Sequence, residues 1–132
     1  MSDDGIDGSP PESVRQAIAD AAVACETVDP REPLAELNAI GARVTDATVV
    51  GLGEPSHGTR EVFRLKHRLF RYLVEECGCR ALAVEANFSD ALALNEYVME
   101  GEGTARERLL DSAVHDVYHC ESVLALVEWI RA

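Results

Sequence analysis

A chain of 132 residues is long enough for one ordinary domain and too short for two. With 47% hydrophobic and 27% charged residues it is globular in composition, and no apolar run approaches the ~20 residues that cross a bilayer. A net charge of −12 with Lys66 as the sole lysine argues against nucleic acid and anionic membranes as partners, both of which need a basic footprint, and reads as the hydrated acidic surface of a protein from a salt-accumulating host.

The first residues, MSDDGIDGSPPES, hold Gly, Pro, Asp and Ser without periodicity. Residues 1–12 are therefore expected to be a disordered acidic tail, and with no hydrophobic core they cannot serve as a secretion signal. A cytoplasmic protein is the expectation. Val14, Ile18, Ala21, Ala22 and Cys25 recur at helical spacing from Pro11 to about Cys25, with Ser9 or Ser13 as the starting cap. Thr27 to Pro33 breaks this helix. Leu34, Leu37 and Ile40 mark a short second one, ended at Gly41.

The run Thr48-Val-Val-Gly-Leu-Gly is β-branched and ends in glycines, which predicts a strand buried on both faces. A strongly periodic helix from about Thr59 to Glu76 follows, closed by Gly78 in a left-handed conformation. Arg80 to Glu85, RALAVE, reads as a second buried strand. Strand, helix and strand with short connections predict a right-handed parallel crossover, whose loops open on one edge of the sheet. Helices are then expected over Ser89 to about Met99, Thr104 to about Leu110, and Glu121 to Ala132. The predicted class is α/β, a parallel sheet with flanking helices in a three-layer arrangement. Two strands make a poor sheet and the last helix reaches Ala132 without a stop signal, so residues 13–132 read as a partial domain. The four cysteines, Cys25, Cys77, Cys79 and Cys120, lack metal-site spacing and are expected as reduced thiols, most of them small core residues.

Chemistry concentrates in GLGEPSHGTRE, residues 51–61, where glycines deliver Glu54 and His57 to the loop before a helix, the edge at which open parallel sheets bind ligands. A carboxylate three residues from an imidazole can orient or polarise it, and a histidine near a helix N-terminus is expected to stay neutral and able to act as a base. Glu85 ends the next strand and brings a second acid to the same rim. A bland reading has Glu54 capping the helix and His57 satisfying the loop; the convergence of two acids and a histidine favours the functional one. Lys66 falls inside the apolar arc of Val62, Leu65, Leu69, Phe70 and Leu73, while Arg60, Arg64, Arg68 and Arg71 lie opposite. A core-directed lysine needs an anionic partner, and the carboxylates of the rim are the candidates. His67, at the margin of the arc, reads as structural. Asn87 is a candidate for shaping the pocket, and Ser89 for capping the next helix. His115, Asp116, His119 and Glu121 could mimic a metal cluster, but a loop reading is preferred. Neither a GxSxG elbow nor a Walker loop is present.

GLGEPSHGTRE, FRLKHRLFRYLVEE, ALAVEANFSDALALNEYV and ESVLALVEWIR, in this order and spacing, resemble the amino-terminal portion of the erythromycin esterase family, from about Val49 to the last residue. The resemblance implies hydrolysis of an ester, the macrolide lactone in the members that give the family its association with antibiotic resistance, by water activated on a histidine matching His57. It implies active-site carboxylates at Glu54 and Glu85 and a basic residue lining the cleft at Lys66. Family members are considerably longer and supply a further histidine from their carboxyl-terminal half; around HDVYHCES this chain departs from the family's aromatic-rich pattern. Two readings follow. One is an ester hydrolase without metal or other cofactor, acting on a small-molecule ester. The other is a truncated, catalytically inactive remnant that serves as a binding or assembly module. A metal site built from Glu54, His57 and Glu85 is a third. The oligomeric state is open.

Overall fold

The structure, a computed structural model, describes residues 9–112 and 116–132. The expected tail falls largely outside this range, and so does His115. Six helices are present among the described residues: α1 (Glu12–Ala21), α2 (Asn38–Val44), α3 (Arg60–Glu75), α4 (Phe88–Glu100), α5 (Ala105–Asp111) and α6 (Glu121–Arg131). Short 3-10 turns at Ala35–Leu37 and Asp116–Tyr118 precede α2 and α6.

Among the described residues the expected parallel sheet is absent. Neither Thr48–Gly53 nor Arg80–Glu85 forms a strand among the described residues, so the three-layer α/β class and its crossover are replaced by helices packed on helices. The apolar β-branched pattern implies burial on both faces, but nothing described here supplies it: Val49 is 85% exposed, and Leu82 and Val84 are also open to solvent. Two short segments without further strands or covering helices gain neither ladder hydrogen bonds nor a dry face, and remain irregular.

Helix boundaries follow local chemistry. Pro11, not Ser9 or Ser13, stands at the N-cap of α1, where its fixed φ suits helix entry. Gly41 does not end the second helix but lies buried within α2. A Cβ there would fall 2.1 Å from the Tyr72 hydroxyl, so the glycine serves a close approach of α2 to α3. Gly78 does take the left-handed conformation, at φ 74°, and the Cys79 N–H returns to the Leu73 carbonyl at 2.9 Å. Thr104 caps α5 in a capping box with Glu107. Asn87, rather than Ser89, is the N-cap of α4.

Two apolar clusters hold the helices together. Ala105, Leu109, Leu124 and Val127 join α5 to α6, with Leu94, Tyr97 and Val98 of α4 packed against them. Leu34, Leu37 and Tyr72 join the segment before α2 to α3, with Cys25 and Leu69 alongside. Cys25, Cys77, Cys79 and Cys120 are free thiols, but none is fully buried and Cys77 is exposed, so the expected core role is not met. Helix α3 touches the turn before α6 through Phe63 on Tyr118 (ring centroids 5.9 Å apart) and α6 itself through His67 and Phe70 on Trp129 (5.6 and 6.0 Å). Burial, reinforced by the charge of Arg71, pushes His67 down from 6.5 to about 4, so the ring packs in its neutral form.

The arginine face of α3 is not a solvent face. Arg68 is 1% exposed; it donates to the Thr27 carbonyl at 2.9 Å and to the Pro33 carbonyl, and pairs with Glu36. Arg64 pairs with Asp29 at 2.7 Å, and Arg71 donates to the Pro30 carbonyl at 2.7 Å. Residues 27–36, devoid of regular structure until Ala35, are thus fixed by charge-assisted hydrogen bonds rather than by a ladder. Replacing Arg68 by Met leaves the Thr27 and Pro33 carbonyls and Glu36 without their donor, and should destabilise the chain by about 3 kcal/mol in urea denaturation. A loss below ~0.5 kcal/mol, the scale of an ordinary surface substitution, would contradict the clamp.

Candidate active site

The loop between Gly53 and α3 is short because Gly58 turns it. At φ 73° this glycine occupies a left-handed conformation that side chains disfavour. The chain then enters α3 at Thr59, whose hydroxyl meets that of Ser56 at 2.8 Å across the turn. Glu54 and His57 project from the two limbs of this loop.

Glu54 is the centre of the site. His57 Nδ1 donates to Glu54 Oε1 at 2.5 Å, and Lys66 Nζ, two turns into α3, donates to Glu54 Oε2 at 2.8 Å. Both carboxylate oxygens are engaged, and the side chain is only 15% exposed. The Lys66 hydrogen bond holds the Glu54 carboxyl below the usual carboxylate range; partial burial opposes this and the His57 contact adds to it. An ionised Glu54 fixes the proton of the neutral imidazole on Nδ1 and leaves Nε2 as an unprotonated acceptor. The His57 side chain is 72% exposed, so Nε2 is open to water. Lys66 also lies 5.8 Å from the centroid of the Phe63 ring.

The other predicted residues are not joined to this group. Glu85 is exposed and makes no hydrogen bond or ion pair with Glu54, His57 or Lys66 among the described residues. Asn87 is exposed, caps α4 through its backbone and makes no side-chain cap bond. His119 donates from Nε2 to the Ser112 carbonyl at 3.3 Å and lies 3.9 Å from Asp116, while Glu121 pairs with Arg106 at 2.7 Å. These residues are engaged locally. Among the described residues no three His, Cys, Asp or Glu converge as a metal site would require. No described helix is long and apolar enough to cross a membrane. The sequence reading missed the roles of Arg64, Arg68 and Arg71 in fastening residues 27–36; Asp29 and Glu36, two of the three acids of that otherwise unpatterned stretch, were the signal that could have found them.

Lys66→Met removes the main cause of the Glu54 depression. A carboxyl lowered in the folded state adds stability above its ordinary pKa of 4.5 and loses it as pH falls through the folded value. Carboxyl-carbon NMR titration of Glu54 should therefore show a midpoint below 4.5 in the parent chain and a clear rise in Lys66→Met. An unchanged midpoint would remove Lys66 from the site.

The erythromycin esterase family model matches residues 74–132. Erythromycin esterase type II of Escherichia coli is 32% identical over 88 residues, covering 67% of this chain and 20% of that protein. YbfO of Bacillus subtilis (strain 168) is 34% identical over 83 residues, covering 63% and 18%. Among solved structures, a succinoglycan biosynthesis protein superposes with a TM-score of 0.77 at 32% identity over 92% of this chain and 31% of its own. A protein from Bacillus cereus does so with a TM-score of 0.78 at 33% identity over 92% and 29%. The chain spans about a fifth of the length of these curated relatives and under a third of the two solved chains. The family match lies in the second half of the chain, and the matching relatives are each covered over about a fifth of their length: over these residues the chain is similar to the erythromycin esterases.

Proposed function

We propose that this chain carries the base of a hydrolytic site acting on carboxylic esters, lactones of the macrolide type among them. The observation that supports this most is the shared carboxylate of Glu54, which takes the Nδ1 proton of His57 and the ammonium of Lys66 on its two oxygens. Nε2 then accepts a proton from water as the water oxygen attacks the ester carbonyl. The imidazolium that forms is stabilised by Glu54, and it returns the proton to the departing alkoxide as the tetrahedral species collapses to acid and alcohol. Lys66 positions Glu54 and keeps it ionised. Glu85, in the loop between α3 and α4, is proposed as a second carboxylate toward the water, and Asn87 as a polar group at the substrate edge; both act by approach of substrate rather than through bonds already formed. Metal and cofactor have no part in this scheme. The named activity of the Escherichia coli relative points the same way.

A second reading, a binding or assembly module without turnover, is favoured by one feature: His57 is 72% exposed, and a base in open water lacks the dry surroundings that strengthen catalytic electrostatics. Ester hydrolysis separates the two. With p-nitrophenyl acetate and a macrolide lactone in molar salt, the proposal expects turnover that falls at least about 100-fold in His57→Ala, with circular dichroism unchanged. A folded chain without turnover, or turnover that persists in His57→Ala, would favour the module.

A further inference from the structure

A cavity of about 590 Å³ lies on the other side of α3 from Glu54. Lys66 and the stripe Arg60, Arg64, His67 and Arg71 are ~140° apart around the helix at about 100° per residue, so the two sites use different faces. Three elements wall the cavity: residues 29–31, α3 and α6. Its volume falls in the range of small-molecule pockets, roughly 300–1,000 Å³.

Most charges along the wall are already engaged. Asp29 takes Arg31 and Arg64, Arg71 takes Glu75, and Glu121 takes Arg106. Two donors are not. Arg60 lines the cavity yet makes no ion pair or side-chain hydrogen bond among the described residues. His67 is 4% exposed, and its Nε2 has no partner. Trp129 adds a flat apolar wall, fixed edge-on by Phe70. Arg60, which opens α3, is the unpaired cation of the lining, and Glu128, in the last turn of α6, makes no ion pair among the described residues. An anionic group is drawn to Arg60 and repelled by Glu128, while Glu121 is already paired with Arg106.

We propose that this cavity binds a small planar organic anion, an aromatic carboxylate or aromatic phosphate ester, with its ring on Trp129 and its anionic end on Arg60 and on the buried His67 Nε2–H. In the neutral Nε2–H tautomer that nitrogen is a donor awaiting an acceptor. The proposal is independent of the ester-hydrolase reading.

Trp129 is the sole tryptophan, so its fluorescence reports on the cavity directly. The full chain is titrated with benzoate and phenyl phosphate, with benzamide as the neutral control and inorganic phosphate as the ringless one. Saturable change is expected with the first two, at least about tenfold weaker response to either control, a loss of about tenfold in affinity on Arg60→Gln, and unchanged affinity on His57→Ala. The tighter of the two anions identifies the head group. Unsaturable collisional quenching, a control that binds as tightly as its partner anion, or an affinity untouched by Arg60→Gln would each overturn the proposal. Arg60 is exposed, so its replacement leaves folding intact.

Discussion

The buried guanidinium of Arg68 sets the rotation of α3, and that rotation decides what every other residue of the helix can reach. With Arg68 held by Thr27, Pro33 and Glu36, Lys66 is turned toward the loop that carries Glu54, while His67 faces Trp129 of α6. An ion-paired arginine so completely enclosed is an expensive way to fasten a segment, because the guanidinium leaves water entirely and its partner Glu36 does so in part. Its use here reflects the nature of residues 27–36, which present carbonyls and acids rather than a continuous apolar face.

Glu54 depends on this arrangement. A carboxylate 15% exposed would gain a proton readily if left alone, but the ammonium from α3 reverses that tendency and keeps it a hydrogen-bond acceptor for His57. The histidine itself sits on the outer limb of the loop, oriented on one nitrogen and free on the other. Orientation by a carboxylate and exposure of the opposite nitrogen are the two properties that a proton-accepting imidazole needs, and neither requires the sheet that the apolar runs imply.

How far the sequence reveals these features varies with the physical signal. Helical periodicity placed α3, α4 and α6 within a residue or two, because amphipathic spacing is a local property. The meeting of Lys66 with Glu54 was also legible, since a lone lysine within an apolar arc must find a carboxylate. The strands were not. Thr48–Gly53 and Arg80–Glu85 carry the residue types of buried strands, yet strand formation depends on partners remote in sequence, and the described residues leave Val49 at 85% exposure. Gly41 misled for a related reason: glycine is both a helix stop and the residue of close approach, and only the position of Tyr72 distinguishes the two. The arginines of α3 fall opposite its apolar arc, and the wheel assigns polarity to a face without saying what covers it.

The central claim is that Glu54 holds the proton of neutral His57 on Nδ1 and leaves Nε2 as the acceptor. Nitrogen-15 NMR of the histidine rings distinguishes the two tautomers directly at a pH where His57 is neutral. The account predicts the Nδ1–H form in the parent chain and a mixed or Nε2–H population in Glu54→Gln, whose amide can itself donate a hydrogen bond to Nδ1. A dominant Nε2–H tautomer in the parent chain would contradict it.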